Sequence, residues 1–344
     1  MTGVLTLAGS LTTPAAAMSE PAITSQTASV DLTAVSHATR SGADTARLDP
    51  VARKAVDQHV QEQAADNRLL PESDVSVALV DNPLSGGKIG LVWERGSAPA
   101  RLDVFRAARA DGSTVDEGLA AAFTETGASE PAAHGNGFGY SPGINPAGNM
   151  YLYSDGCRTI FFVPDYAANR DHKTTTCFQK WAEHGTDQWI YNRWAEFLQG
   201  NPSDTLLDHA RTVDFTIRSR PWAGQESKVN RISTWTPLGG GKSCSEVLNF
   251  SLTLGSVGLS VPVHQCETRT SLANATAKSM GVDWDGSTSS QLFLDFGLGL
   301  HAANSTVVPV YADYVWAEVQ HCEDSDCLVG AWHSQYLTWR ESGW

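Results

Sequence analysis

Between Cys244 and Cys266 the chain reads CSEVLNFSLTLGSVGLSVPVHQC, a pattern that leaves the backbone few choices. Glu246, Leu248, Phe250, Leu252 and Leu254 alternate with Val247, Asn249, Ser251 and Thr253. Val257, Leu259, Val261 and Val263 alternate with Gly258, Ser260, Pro262 and His264. Period-2 alternation puts one set of side chains on a buried face and the other on a wet one, which is the pattern of a strand. A two-residue turn at Gly255-Ser256, with glycine in the position a type II′ turn requires, sets Leu254 opposite Val257. Leu252 then faces Leu259, Phe250 faces Val261, and Leu248 faces Val263. All four apolar pairs share one face, which fixes the register.

In that register Cys244 falls on the apolar face and Cys266 on the polar one. A Cys244–Cys266 disulfide therefore needs one extra residue in the second strand. Pro262, which cannot donate to the ladder, is where that bulge is expected. A second reading of the stretch is a hairpin that enters a membrane. Its strands approach the ~9–11 residues a spanning strand needs, and Ser, Thr and Asn could line a pore. Pro262 and a bridging disulfide oppose that reading.

The remaining cysteines extend the pattern. The chain has 6 Cys, an even number that suits disulfides in an oxidising compartment. Cys157 and Cys177 flank the runs CRTIFFVP and HKTTTCF, and Cys322 and Cys327 bracket Glu-Asp-Ser-Asp between two further strand-like runs. Cys157–Cys177 and Cys322–Cys327 are thus the expected partners, each stapling a hairpin. No C-x₂-C occurs and no Cys/His cluster has ligand spacing, so no metal and no cofactor are expected.

Strand signals recur at short spacing through the chain: 75–80, 88–94, 150–163, TVDFTIRSR, VNRISTWTP, QLFLDFGLG, VVPVYADYVWAEV and the C-terminal run. The expected fold is mainly β, an antiparallel β-sandwich or meander with disulfide-stapled hairpins and a short N-terminal helical segment. The helix is expected from Asp49-Pro50, with Asp at the N-cap and Pro at N1, to a point before Pro71. Residues 187–198 fit either a helical face or a strand, and residues 111–149 look loop-like. Residues 1–17 read as a truncated signal peptide, with an apolar run from Val4 to Leu11 and a small-residue site at Ala15-Ala16-Ala17, but no Lys or Arg before them. Residues 18–72 read as a leader or propeptide-like segment carrying the helix, and 73–344 as one β-rich body with a possible subdivision near 200–211.

Charged residues make up only 18% of the chain, below the usual ~25%, which suits a secreted, extracellular protein. The formal net charge of −14 disfavours a nucleic-acid partner and an anionic lipid surface. No apolar run reaches the ~18 residues of a spanning helix, so no integral membrane segment is expected.

Catalytic motifs are scarce. Gly239-Gly240-Gly241-Lys242-Ser243 lacks the first glycine of a phosphate loop, since position 236 is Thr236, and a strand follows instead of a helix. The glycines from Gly135 to Gly139 precede Pro142 and Pro146, where a helix should start. No G-x-S-x-G or H-E-x-x-H is present. His172 and His184 bracket Cys177 with Asp165 and Asp171 near, which reads more simply as loop histidines. Whether the protein is an enzyme is left open by the sequence, with a secreted hydrolase whose site is cryptic as one alternative.

The best functional signal is aromatic. There are 11 Trp, and exposed aromatics on a β-sandwich stack on sugar rings. The expected function is a non-enzymatic binding protein for a carbohydrate or cell-surface ligand, with a pore-forming toxin using 244–266 as a further alternative. Candidate ligand-binding residues are Trp284, expected to be exposed between Asp283 and Asp285, and Trp235.

Overall fold

The computed structural model describes residues 23–33, 40–41, 48–65, 70–95, 97–110, 114–125, 145–146, 150–163, 172–200, 209–236, 246–254, 257–265, 269–288, 291–322 and 332–340. In chain order these form β1 (Ile23–Asp31), β2 (Arg40–Ser41), helix α1 (Pro50–Ala65), β3 (Val75–Asp81), β4 (Lys88–Glu94), β5 (Ser97–Arg109) and β6 (Thr114–Glu125). There follow β7 (Asn145–Pro146), β8 (Met150–Val163), β9 (Lys173–Glu183), β10 (Gln188–Leu198), β11 (His209–Pro221), β12 (Val229–Thr236), β13 (Glu246–Leu254) and β14 (Val257–Gln265). The last are β15 (Arg269–Ser271), β16 (Met280–Thr288), β17 (Leu292–Ala302), β18 (Tyr311–Cys322) and β19 (Trp332–Arg340).

Two eight-stranded sheets pack face to face. The front sheet runs β1-β5-β6-β19-β18-β11-β16-β15, and the back sheet β12-β17-β10-β9-β8-β4-β3-β2. Every pairing among the described residues is antiparallel except that of β6 with β19. Alternation builds the core between the sheets: Leu292, Leu294, Phe296, Leu298 and Leu300 all fall on one face of β17, and all are buried. Phe215, Ile217, Val315, Ala317 and Val319 meet them from the front sheet. The mainly β, antiparallel architecture read from the sequence is the one observed.

The structure decides one open reading and differs from the sequence reading in two places. Residues 188–198, open to helix or strand, form a strand hydrogen-bonded to β9 on one side and β17 on the other. Both of its faces are covered, so its apolar residues lack the clean alternation that would have identified it. Residues 114–125, read as loop, pair with β5 over their whole length. Leu119, Ala121 and Phe123 supply its core face. Within the segment read as a leader, Ile23–Asp31 is an edge strand on β5, and Leu32 just beyond it is fully buried.

The helix is where its start signals put it. Asp49 Oδ1 accepts from Val51 N at 2.9 Å, the N-cap bond, and Pro50 occupies the first turn where its missing N–H costs nothing. Its thin apolar stripe, Ala52, Ala55 and Val56, packs on Val75, Val77, Val92 and Phe161, the outer face of the back sheet. His59 and Glu94, both buried, join helix to β4 at 3.2 Å, and Glu62 pairs with Lys173.

Cys157 and Cys177 sit directly opposite each other on β8 and β9 and are disulfide-bonded, packed with Trp194 under the helix. The Cys244–Cys266 and Cys322–Cys327 pairs involve residues outside the described set. Replacing both Cys157 and Cys177 by alanine is expected to lower the unfolding free energy by about 3 kcal/mol, the usual scale for closing a loop of this size. Urea denaturation of the double variant against the oxidised parent checks it.

The hairpin of β13 and β14 forms with the expected register. Leu254 faces Val257, Leu252 faces Leu259, Phe250 faces Val261 and Leu248 faces Val263. The bulge expected at Pro262 is absent: pairing runs unbroken from Glu246↔Gln265 to Leu254↔Val257, with Asn249 opposite Pro262. Among the described residues β7 pairs with β14 only at Leu259 and Ser260, and none pairs with Pro262 on that edge. A proline nitrogen turned to an open edge removes no ladder bond, and no bulge is needed. The hairpin and β7 form a third sheet, hydrogen-bonded to neither large one and lying against β12 and β17 of the back sheet.

The core also holds charge. Arg193 and Asp313, 0% and 1% exposed, pair at 3.1 Å between the sheets, and Ser219 donates to the same carboxylate. The Arg193 guanidinium lies over the rings of Tyr191 and Phe178, at 4.7 and 4.8 Å. Lys180 donates to Pro309 O at 2.7 Å and lies 5.2–5.4 Å from the ring centres of Tyr153, Trp189 and Tyr191. Hydrogen bonds and ring faces together replace the water these cations lose.

Candidate binding site

The four candidate ligand-binding residues do not stay together. In β16 the sequence Asp283-Trp284-Asp285 obeys strand alternation, so the acids face one way and the indole the other. Trp284, expected to be exposed, is 5% exposed and belongs to the core between the sheets. Its ring fills the space above Gly286, where a Cβ would collide with it. Glycine two residues on, on the same face, is therefore the residue that admits the indole. Trp235, in β12, is half-buried against the same core, in the sheet opposite the one that holds β16.

Asp283 and Asp285 lie on the outer face of the front sheet, and other carboxylates converge there. Asp285 is the register partner of Asp214 in β11, which is opposite Glu318 in β18 on its other side. The Thr216 hydroxyl sits between two of them, 3.1 Å from Asp214 Oδ1 and hydrogen-bonded to Asp283. Partial burial, then the charge of Asp283, raise Asp214 to about 6 from 3.8, with Asp285 and Glu318 adding to the effect and Thr216 opposing it. Burial also raises Glu318, helped by Asp116, and raises Asp116 itself. Among the described residues no set of three His, Cys, Asp or Glu is arranged to hold a metal ion.

A carboxylate whose folded pKa is raised stabilises the fold only while it is protonated. The contribution of Asp214 is present below its unfolded value of 3.8 and is lost as pH rises through about 6. Asp214→Asn is therefore expected to raise stability at pH 7, by roughly 1 kcal/mol after allowance for solvent screening, and to change nothing at pH 3. Thermal melts of parent and variant across that range test the sign.

Next along the same face, Thr216, Arg218, Arg220, Tyr314 and Trp316 line a shallow groove of about 270 Å³. The Arg220 Nε–H donates to Tyr314 Oη at 3.0 Å, and its guanidinium lies 4.6 Å from that ring's centre. Arg218 and Arg220 are exposed, and no carboxylate pairs with either guanidinium among the described residues. Gly281 is buried beside Arg218, where a Cβ would strike the backbone of Ile217 and Arg218, so glycine lets β16 lie this close to β11. The face thus runs from carboxylates, past Trp316, to two arginines beside Tyr314. Trp316 enters the sequence reading only as one of the 11 Trp and the other groove residues not at all, because the convergence joins β11, β16 and β18, which are distant in the chain.

The histidines take structural positions. His172 Nε2 and His321 Nε2 are 3.0 Å apart and buried, and Gly200 N–H donates to His172 Nδ1 at 3.1 Å. With Nδ1 accepting, the His172 proton sits on Nε2 and is donated to His321. This bond ties β18 of the front sheet to the back sheet. His184 stacks on Tyr151 at 4.2 Å. Asp165, Asp171 and both glycine-rich loops fall outside the described residues. A smaller cavity of about 150 Å³ lies between α1 and the back sheet, beside His59, Thr159 and Lys173.

No family model matches the chain, and no curated protein matches it. Among solved structures it is similar to Clostridium perfringens delta-toxin, at 10% identity and TM-score 0.31, over 58% of this chain and 93% of that one. It is also similar to a chain described as a pore forming protein, at 9% identity and TM-score 0.33, over 56% of this chain and 90% of that one. For the membrane-inserted form of the C. perfringens NetB toxin, identity is 7% and TM-score 0.17, over 58% and 91%.

Proposed function

We propose that the protein is a secreted, non-enzymatic binding protein for a carbohydrate or cell-surface ligand, and that the ligand lies on the outer face of the front sheet. The observation that carries this reading is the groove of Tyr314 and Trp316 between carboxylates and arginines. Aromatic faces stack on the C–H faces of sugar rings, and carboxylates and guanidinium groups hydrogen-bond sugar hydroxyls. Asp283 and Asp285 keep their place in this reading, while Trp316 and Tyr314 take the part first given to Trp284. Trp316→Ala is expected to abolish co-sedimentation with insoluble glycans or cell walls while leaving the circular dichroism spectrum unchanged. A parent protein that sediments with neither sinks the reading.

A second reading is favoured by one observation. The β13–β14 hairpin belongs to neither large sheet, and its nine residue pairs run without a break. Nine-residue strands approach the length a tilted spanning strand needs, so the hairpin is suited to membrane entry. Leakage of dye-loaded liposomes by the parent, abolished on deleting 246–265, is the outcome expected of it.

A further inference from the structure

We infer that the groove takes a glycan whose terminal ring carries a carboxylate, with the acid at the arginine end and neutral sugar toward Asp283 and Asp214. This rests on the carbohydrate-binding reading and names its ligand class. The protein's formal net charge is −14, so two adjacent exposed cations without carboxylate partners among the described residues reverse the prevailing sign locally. Arg220 is held by its Nε–H bond to Tyr314 Oη and its position over that ring, and that hydrogen bond does not use its terminal nitrogens. Arg218 stands beside it, exposed, on the same face of β11. Guanidinium groups bind carboxylates with two parallel charge-assisted hydrogen bonds, a geometry that a neutral hydroxymethyl group cannot match.

The opposite end selects different chemistry. Thr216 sits at the boundary, already engaged with Asp214 and Asp283, and those carboxylates accept hydrogen bonds only. They suit sugar hydroxyls and repel a second acid. The face therefore has a direction: acid at Arg218 and Arg220 beside Tyr314, ring on Trp316, hydroxyls at Asp283. A uniformly acidic polymer would place charge against the carboxylates, so a single terminal acid fits better than a run of them.

The probe is a glucuronate-terminated disaccharide against its neutral glucose-terminated counterpart, titrated into the full chain by calorimetry. The acidic disaccharide is expected to bind at least about tenfold more tightly, the scale of one charge-assisted hydrogen bond. Arg218→Gln should erase that preference while retaining the residual affinity for the neutral sugar, and Arg218→Lys should restore part of it. Equal binding of both disaccharides overturns the acidic-terminus inference and leaves the carbohydrate reading standing. Binding of neither, with the parent still sedimenting with glycans or walls, overturns the inference and moves the site off this groove. Binding of neither with no sedimentation overturns both.

Discussion

Trp284→Ala is expected to cost about 3–5 kcal/mol of folding stability, the range for truncating a buried tryptophan. The indole is part of the core between the sheets and rests over Gly286, so the substitution opens a cavity that the two sheets cannot close by moving together. Urea denaturation should show a lower midpoint with an unchanged slope. Any ligand bound on the outer face should keep its affinity at temperatures where the variant remains folded, because Trp284 points away from it. An unchanged midpoint with lost binding would place the indole at the ligand after all. Gly286→Val should destabilise through the same ring, by overpacking instead of by a void.

The other large effect lies deeper. Asp313→Ala is expected to cost about 3–5 kcal/mol, because it leaves the Arg193 guanidinium charged between the sheets without its carboxylate. The rings of Tyr191 and Phe178 would still face the cation but cannot replace an ion pair in a dry site. Ser219 would lose its acceptor at the same time. The double variant Asp313→Leu with Arg193→Met removes both charges and should recover most of the loss. Thermal or urea unfolding of the single and double variants distinguishes a stranded cation from lost packing.

What sequence could reveal follows from how far each signal reaches. The β13–β14 register was legible because four apolar pairs and a two-residue turn lie within one short stretch. The helix start was legible from Asp49 and Pro50 alone. The burial of Trp284 was also legible, since Asp-Trp-Asp in a strand must send the acids and the indole to opposite faces. That inference requires assigning 283–285 to a strand first, and Asp-Trp-Asp followed by Gly286 suits a turn equally well. The strand at 114–125 escaped because alanines at 120, 121 and 122 blur alternation. The arrangement of Asp214, Asp283, Asp285 and Glu318 depends on pairing among strands far apart in the chain, and no local pattern announces it. The direction of the groove was hidden for the same reason, as Arg218 and Tyr314 become neighbours only through the β11–β18 ladder.

The position of β19 sets the order in which the protein can be completed. It lies between β6 and β18, so it joins β1-β5-β6 to β18-β11-β16-β15, although it is the last described strand in chain order. Until residues 332–340 arrive, the front sheet is two ribbons with unpaired edges facing each other, and the core between the sheets stays partly open. Closure is thus a late and strongly non-local event, of the kind that makes β folding slow. The front sheet would lock into its final form only once β19 slid between β6 and β18.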